Sequence, residues 1–243
     1  MWKDGNKDLL DVVADHSDTF FLAYTNGTFI DEKTAHRMAE LGNITPCVST
    51  EGFETETDGR RGDGVHRNVL RAFENLRNAG VLYGMSITVT RQNKDTVFSK
   101  PSIDYYFRDH GVYYGWIFQY MPIGRSYSLE QMPTPEQRVD MWHKMQRWIK
   151  EDHLILADFW NSATWCNGCM SAGRKGGYIV FDWDRNVMPC VCNPYSTHNI
   201  IDVFNDGSSM KSVRNRRTMR RCRLSPTAVT AKGRFATDGP STS

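Results

Sequence analysis

The sequence lacks any long hydrophobic run. No apolar stretch approaches the ~18 residues that a helix needs to cross a bilayer, so the sequence excludes a transmembrane protein and no membrane partner is expected. The first residues lack the apolar core of a secretory signal, so we expect a cytoplasmic protein. Internal repeats are absent as well. What is present, 40% hydrophobic and 24% charged residues in a chain of 243, is typical of a globular protein with one large domain or two small ones.

The charge is distributed unevenly along the chain. The formal net charge is only +2, but residues 205–243 hold nine Lys/Arg and two Asp/Glu, which gives this segment a charge of +7. A basic segment of this kind binds nucleic acid by releasing counterions from phosphates. From Ser208 onward, however, the sequence shows no periodicity and is rich in Arg, Ser, Thr and Gly, which favours a disordered tail. We therefore do not expect nucleic acid to be the partner.

Cysteine is sparse outside one cluster. Four of the six cysteines lie within 27 residues, in the pattern C-x2-C, then twenty residues, then C-x-C. In a cytoplasmic protein, thiols this close together indicate metal ligands before they indicate disulfides. Cys47 lies apart, inside a predicted strand, and is expected to be a small buried residue. The clustered cysteines are Cys166, Cys169, Cys190 and Cys192, and Cys222 lies farther along the chain.

Residues 8–152 alternate between short apolar runs and amphipathic stretches. Near-continuous apolar strands that alternate with helices predict a parallel sheet covered by helices. In such a sheet, ligands bind at the carboxyl ends of the strands, and the segments expected there are polar and turn-forming. The predicted strands span residues 19–24, 44–49, 81–90 and 112–120, and the predicted helices span residues 8–16, 31–41, 64–79, 103–110 and 134–152.

After residue 157 the pattern changes. Two short runs, 178–182 and 186–188, flank Trp183-Asp184-Arg185 and predict a β-hairpin. One cysteine pair precedes this hairpin and the other closes it, which would bring thiolates from distant parts of the sequence to the same end. This arrangement is typical of a metal site.

Several short segments along the chain are informative through their order and spacing. They are Tyr24-Thr-Asn-Gly-Thr28, Ser49-Thr-Glu-Gly52 followed by Arg60-Arg61-Gly62, Gly80 leading into Ser86-Ile-Thr-Val-Thr90, Gln119-Tyr-Met-Pro-Ile-Gly124, Cys169-Met-Ser-Ala-Gly173 and Met188-Pro189-Cys190. Through these segments, residues 8–204 resemble the radical S-adenosylmethionine (SAM) enzymes. The last two segments are similar to the twitch or SPASM extension, which holds an auxiliary iron–sulfur cluster beyond the barrel.

The resemblance implies an α/β fold, a partial (β/α)6 radical SAM barrel that lacks its first strands and carries a small cysteine-rich β-hairpin extension. The implied regions are the partial barrel over residues 1–156, the twitch/SPASM-like region over 157–207 and the basic tail over 208–243. In the family, a [4Fe–4S] cluster binds SAM, and one electron cleaves SAM to a 5′-deoxyadenosyl radical that abstracts hydrogen from the substrate. The implied partners are an electron donor and an unknown peptide or small-molecule substrate.

The sequence departs from the family pattern at the motif that holds the catalytic cluster. The family's C-x3-C-x2-C triplet does not occur in the sequence, and neither does the Gly-Gly-Glu segment of the second strand. Without three thiolates the catalytic iron cannot be held. We therefore expect a gene fragment, an internal start or one half of a split enzyme, with a missing N-terminal half as a further partner and no SAM cleavage by this chain alone.

The family pattern also implies roles for single residues around SAM. Arg61, twelve residues after Ser49, would pair with the SAM carboxylate in a charge-assisted contact that lysine cannot make with both oxygens. Ser49 would hydrogen-bond SAM, and Met121 and Pro122 would pack against adenine. A surface position for Arg61 and ordinary core packing for Met121 are the alternatives. The further pocket residues that the resemblance implies are Thr25, Asn26, Glu51, Thr88 and Gln119.

For the auxiliary cluster, the resemblance favours Cys169 and Cys190 as ligands, with Cys166 and Cys192 within reach and Cys222 at a later position. A structural zinc site is the rival, because four thiolates with a C-x2-C knuckle also satisfy tetrahedral zinc. Unliganded thiols are the third option. Three functions therefore stay open: a radical SAM-type iron–sulfur protein, a non-catalytic metal-binding module or pseudoenzyme, and a zinc-ribbon protein whose basic end binds nucleic acid.

Overall fold

The chain divides into two compact units, Met1–Asn161 and Ser162–Ser243. The predicted limits of the barrel, the extension and the tail stay predictions. Among the described residues, no helix combines the length and the apolar character needed to cross a membrane. The computed structural model describes residues 3–4, 7–122, 127–159, 177–191, 196, 198–205 and 207.

The first unit alternates between strands and helices. It also contains a π-helix (Asp104–Asp109) and a 3-10 turn (Leu129–Gln131). The elements in chain order are β1 (Lys3–Asp4), β2 (Lys7–Asp8), α1 (Leu9–Asp15), β3 (Phe21–Thr25), α2 (Glu32–Leu41), β4 (Ile44–Thr50), α3 (Glu54–Arg61), α4 (Val65–Ala79), β5 (Gly84–Val89), α5 (Lys94–Val97), α6 (Lys100–Ile103), β6 (Tyr114–Gln119), α7 (Pro135–Lys150) and β7 (Ile155–Asp158).

Five of these strands form one parallel sheet, in the order β3-β4-β5-β6-β7. Parallel neighbours need a crossover connection, and helices make these connections between successive strands. The predicted α/β fold with a parallel sheet is confirmed. The sheet has one strand more than predicted, because β7 has only four residues and follows a long helix directly.

Four of the five predicted helices, α1, α2, α4 and α7, begin and end within two residues of the predicted limits. The predicted helix 103–110 is instead the end of α6 followed by the π-helix, and α3 and α5 were not predicted. Asp31 caps α2 and its carboxylate accepts the N–H of Thr34 at 2.8 Å, while Gly42 ends the helix at φ 68°, in the left-handed region. Thr134 and Gln137 form a capping box at the start of α7. These caps fix where α2 begins and ends and where α7 begins.

The sheet has two chemically different faces. Side chains alternate along a strand, and residues in register on parallel neighbours point the same way. Ile87 and Ile117 are therefore on one face and Ser86 and Trp116 on the other. The first face joins residues of the helices, such as Phe73, in one buried hydrophobic cluster. The second, which we call the inner face, lies outside that cluster and carries hydroxyl groups and aromatic rings.

The described part of the second unit contains the predicted β-hairpin. Strands β8 (Val180–Phe181) and β9 (Val187–Met188) pair antiparallel, and α8 (Ile200–Asn205) follows. Arg185 lies in the turn at φ 67°, a left-handed conformation that favours glycine. The carboxylate of Asp182 closes the turn by accepting the N–H of Asn186 at 2.8 Å.

Candidate functional site

The carboxyl ends of the five parallel strands form one edge of the sheet, which we call the carboxyl edge. Thr50 ends β4, Val89 ends β5 and Gln119 ends β6. The last residues of these strands and the segments that follow them contain the residues predicted to surround SAM. The structure therefore brings most of these residues to one side of the molecule, although it does not bring all of them into contact.

A buried carboxylate holds two arginines beside the carboxyl edge. Glu51 follows β4 and is 1% exposed. Its Oε2 accepts from Arg60 Nη1 at 2.8 Å, and its Oε1 accepts from Arg61 Nε at 2.8 Å and from Arg61 Nη2 at 2.6 Å. Burial raises the pKa of Glu51, and the two guanidinium groups oppose that rise. Two cations and one anion leave this cluster with a net positive charge, which suits a carboxylate group of a ligand.

The backbone on either side of Glu51 is fixed by residues from other elements. The N–H of Glu51 donates to Thr57 Oγ1 at 3.2 Å, and its carbonyl accepts from Asn93 Nδ2 at 2.9 Å. Asn93 Nδ2 also donates to the carbonyl of Thr88 at 3.1 Å, so this amide links the ends of β4 and β5. The loop after β4 is thereby held in one conformation.

Tyr106 of the π-helix supports the same loop from the other side. It is fully buried, its hydroxyl lies 2.7 Å from Thr50 Oγ1, and it also donates to the carbonyl of Gly52. Burial raises the pKa of Tyr106, so the phenol keeps its proton near neutral pH. Gly52 itself lies at φ 137°, which strains any other residue. A π-turn in an otherwise helical segment therefore serves to place one hydroxyl under the site loop.

Hydroxyl groups line the inner face just below the carboxyl edge. Ser49 Oγ lies 3.0 Å from Ser86 Oγ, and Thr88 is half-buried on the same face as Ser86, two residues along β5. Three aromatic rings flank them: Tyr24 meets Phe118 edge-on at 5.7 Å between ring centroids, and Trp116 stacks on Phe118 at 6.4 Å. The inner face thus offers hydrogen-bonding groups next to flat apolar surfaces.

Three of the predicted pocket residues have side chains that hydrogen-bond to other parts of the protein. Gln119 lies in register with Val89, on the face opposite Ser86, and its Nε2 donates to Asp158 Oδ2 at 2.8 Å. Thr25 Oγ1 accepts the N–H of Gly27 at 3.1 Å, and exposed Asn26 accepts the N–H of Thr28 at 3.1 Å. These side chains stabilise turns and strand ends, and their contact with SAM stays a prediction. The same holds for Met121 and Pro122, which are half-buried after β6.

Cys47 is a buried residue of β4, as predicted. It is fully buried on the inner face, and burial raises the pKa of its thiol to about 12. The thiol therefore stays protonated at neutral pH and is a poor metal ligand. Cys190 is half-buried at the end of the hairpin. The other predicted ligands, Cys166, Cys169, Cys192 and Cys222, lie outside the described residues.

Three residues that support the site were not predicted: Arg60, Asn93 and Tyr106. Arg60 stands next to Arg61 in the sequence, so its involvement had a local signal. Asn93 and Tyr106 lie 42 and 54 residues from their partners in the loop after β4, and only the folded chain brings them together.

The parallel sheet, with helices packed on one face and a polar carboxyl edge, defines an α/β fold of the barrel type. No family model matches the chain. The curated Fe-coproporphyrin III synthase of Methanosarcina barkeri is 34% identical over 70 residues, which cover 28% of this chain and 18% of that protein. Mycofactocin maturase MftC of Mycolicibacterium smegmatis is 38% identical over 73 residues, which cover 29% and 19%.

Solved structures extend the likeness to most of the chain. A structure of anSMEcpe with bound AdoMet and the Cp18Cys peptide matches with a TM-score of 0.58 at 16% identity, over 83% of this chain and 59% of that one. SuiB of Streptococcus suis matches with a TM-score of 0.60 at 10% identity, over 86% and 55%. At such identities the likeness shows the fold. The curated relatives and these neighbours are radical SAM enzymes, which confirms the resemblance, and the fold is that of a partial radical SAM barrel.

The chain spans little more than half of those structures, and the matched stretches span about a fifth of the curated relatives. The carboxyl edge carries groups of the kind that SAM requires, since an arginine pair suits a carboxylate and serine and threonine hydroxyls suit a sugar. The described residues do not fit the catalytic cluster. Among the residues that the structure describes, no group of three or more His, Cys, Asp or Glu could hold a metal ion, and the sequence has no C-x3-C-x2-C.

Proposed function

We propose that the carboxyl edge of the first unit binds S-adenosylmethionine. The observation that carries this proposal is the pair of guanidinium groups, Arg60 and Arg61, held by Glu51, which stands two residues after Ser49 at the carboxyl edge. Each guanidinium has five N–H donors, and Glu51 uses only some of them. Those that remain would bind the SAM carboxylate, and Ser49 would donate to another polar atom of the ligand.

The proposed activity of the complete protein is reductive cleavage of SAM to a 5′-deoxyadenosyl radical, with an electron donor as partner. Because the sequence lacks the cysteine triplet, this chain would bind SAM without cleaving it. A peptide is the proposed substrate class, since one neighbouring structure is SuiB bound to its precursor peptide SuiA and another holds the Cp18Cys peptide. A small molecule is the alternative.

The planar guanidinium group of Arg61, and not only its positive charge, should contribute to SAM binding. Arg61→Lys keeps the charge but removes the planar fork, so we expect the Kd for SAM to rise about 5- to 20-fold. Isothermal titration of the purified full chain measures this change. The control is Arg67→Lys, an exposed position on α4, where no change is expected. Unchanged affinity in the Arg61 variant, or no SAM binding by the unaltered chain, would contradict the proposal.

The clustered cysteines of the second unit are proposed to hold an auxiliary iron–sulfur cluster, with Cys169 and Cys190 as the principal ligands. The described hairpin supports this proposal, because β9 ends two residues before Cys190. Cys166, Cys192 and Cys222 are the further candidates. A four-cysteine zinc module, in a protein without catalytic activity, is the alternative function.

Reconstitution distinguishes the two metals. After anaerobic addition of iron and sulfide, we expect a brown protein with visible charge-transfer absorption, and loss of most of that iron in Cys169→Ser and Cys190→Ser. Cys47→Ala is the matched control and should keep its iron, because the buried Cys47 thiol is not a ligand. A colourless protein that instead retains zinc would favour the alternative, and iron binding that is indifferent to both serine variants would exclude a cluster at these cysteines.

A further inference from the structure

Glu51 is the most constrained residue of the loop after β4. Its side chain is 1% exposed, its N–H donates to Thr57, and its carbonyl accepts from Asn93. Three elements therefore determine where its carboxylate lies: β4, α3 and the start of α5. In contrast, the side chains of Arg60 and Arg61 are 40% and 26% exposed, and they lie at the end of a short helix.

The two arginines need an external partner if they are to point the same way. Successive residues of an α-helix point about 100° apart, so neighbouring long side chains diverge unless something holds them together. Glu51 is that partner, since each of its carboxylate oxygens binds a different guanidinium, at 2.8 Å in both cases. An arginine side chain loses conformational entropy when it is fixed. Because Glu51 already fixes both arginines in the folded protein, less entropy is lost when a ligand binds.

On charge alone, removal of Glu51 would be expected to strengthen ligand binding. Glu51 lowers the positive charge that an anionic ligand meets, so its removal would strengthen the electrostatic attraction to a carboxylate. A buried carboxylate that only weakened the site would be a disadvantage. Its fixed position and its bridging geometry instead indicate a role in ordering the arginines.

We propose that Glu51 is a positioning residue for the ligand carboxylate, acting through Arg61 and Arg60, which it aligns into one anion-binding surface. This inference rests on the proposed binding of SAM and deepens it by naming the group that orders the arginine pair. Glu51 itself does not touch the ligand. Its effect should therefore be confined to ligands that carry a carboxylate.

The test compares two nucleoside probes, SAM and decarboxylated SAM, which keeps the sulfonium and the amino group but lacks the carboxylate. In the full chain, Glu51→Gln should weaken binding of SAM about 10-fold and change binding of decarboxylated SAM less than about 2-fold. Glu54→Gln, an exposed glutamate of the same helix, is the matched control and should change neither. Isothermal titration gives the affinities, and circular dichroism checks that each variant is folded.

The outcomes separate this inference from the proposed function. Equal or tighter SAM binding by Glu51→Gln overturns the positioning role while leaving the SAM site in place. Absence of SAM binding by the unaltered chain overturns both. If Glu51→Gln does not fold, Glu51→Asp replaces it: the charge remains but the side chain is one methylene shorter and cannot reach both guanidinium groups. SAM affinity that is unchanged in Glu51→Asp, with Glu54→Gln as reference, would then overturn the inference.

Discussion

Replacement of Gly84 by alanine should lower the free energy of unfolding by about 2–4 kcal/mol, because a tyrosine ring occupies the space that the new methyl group needs. Gly84 lies in register with Tyr114 on the neighbouring strand. A Cβ atom at position 84 would lie 2.2 Å from Tyr114 Cε2 and 2.4 Å from Cζ, far inside van der Waals contact. The ring cannot move freely, since its hydroxyl lies 2.8 Å from Thr45 Oγ1.

Denaturant unfolding followed by tryptophan fluorescence measures this effect. The control is Gly59→Ala in α3, where a Cβ atom would meet nothing within 4 Å and the backbone is helical. That substitution should raise stability by about 0.5–1 kcal/mol, since alanine favours helix over the unfolded chain. If Gly84→Ala is as stable as the unaltered protein, then the ring of Tyr114 does not pack against the backbone of Gly84 as described.

The contact between Gly84 and Tyr114 illustrates what the sequence could not indicate. The two residues are 30 positions apart, and neither carries a local signal for the other. Elements with strong local signals were predicted well: Asp31 and Gly42 cap the two ends of α2, and Thr134 caps the start of α7. These signals work because a cap satisfies backbone groups within its own helix.

Helix α3 shows the limit of periodicity. Its sequence, ETETDGRR, has no apolar stripe, and Thr57 is its only buried residue. A helix is recognised in sequence by the face it buries, and α3 instead uses its charged residues to hold the loop after β4. The sequence therefore indicated Glu51 and Arg61 as separate ligand residues, through the family resemblance. It did not indicate that they bind each other, because that pairing depends on burial of Glu51 by distant elements.

Asn93→Asp should cost about 2–4 kcal/mol of unfolding free energy near neutral pH. The amide nitrogen of Asn93 donates to two carbonyls, those of Glu51 at 2.9 Å and Thr88 at 3.1 Å, in a site that is 7% exposed. In the variant, a carboxylate oxygen would face both carbonyl oxygens, so three acceptors would meet without a donor. The other carboxylate oxygen would keep the hydrogen bond from the N–H of Thr90, which is 2.7 Å in the present structure.

The loss of unfolding free energy in Asn93→Asp should increase as the pH rises. Burial and two facing acceptors favour the protonated acid, so the pKa of Asp at position 93 is raised in the folded state above its unfolded value of about 3.9. Stability relative to the unaltered protein is therefore retained below that unfolded pKa and is lost as pH rises through the folded-state pKa. Unfolding of both proteins at about pH 4 and about pH 7.5 should show a larger difference at the higher pH.

A control substitution separates the loss of the buried amide hydrogen bonds from the effect of a new negative charge. Asn78→Asp makes the same chemical change at an exposed position of α4, where it should cost less than about 1 kcal/mol because only the helix dipole opposes it. SAM titration adds a functional readout, since Asn93→Asp should weaken binding by freeing the backbone of Glu51, whereas Asn78→Asp should not. Equal stability losses in the two variants at both pH values would mean that Asn93 does not tie the ends of β4 and β5 together.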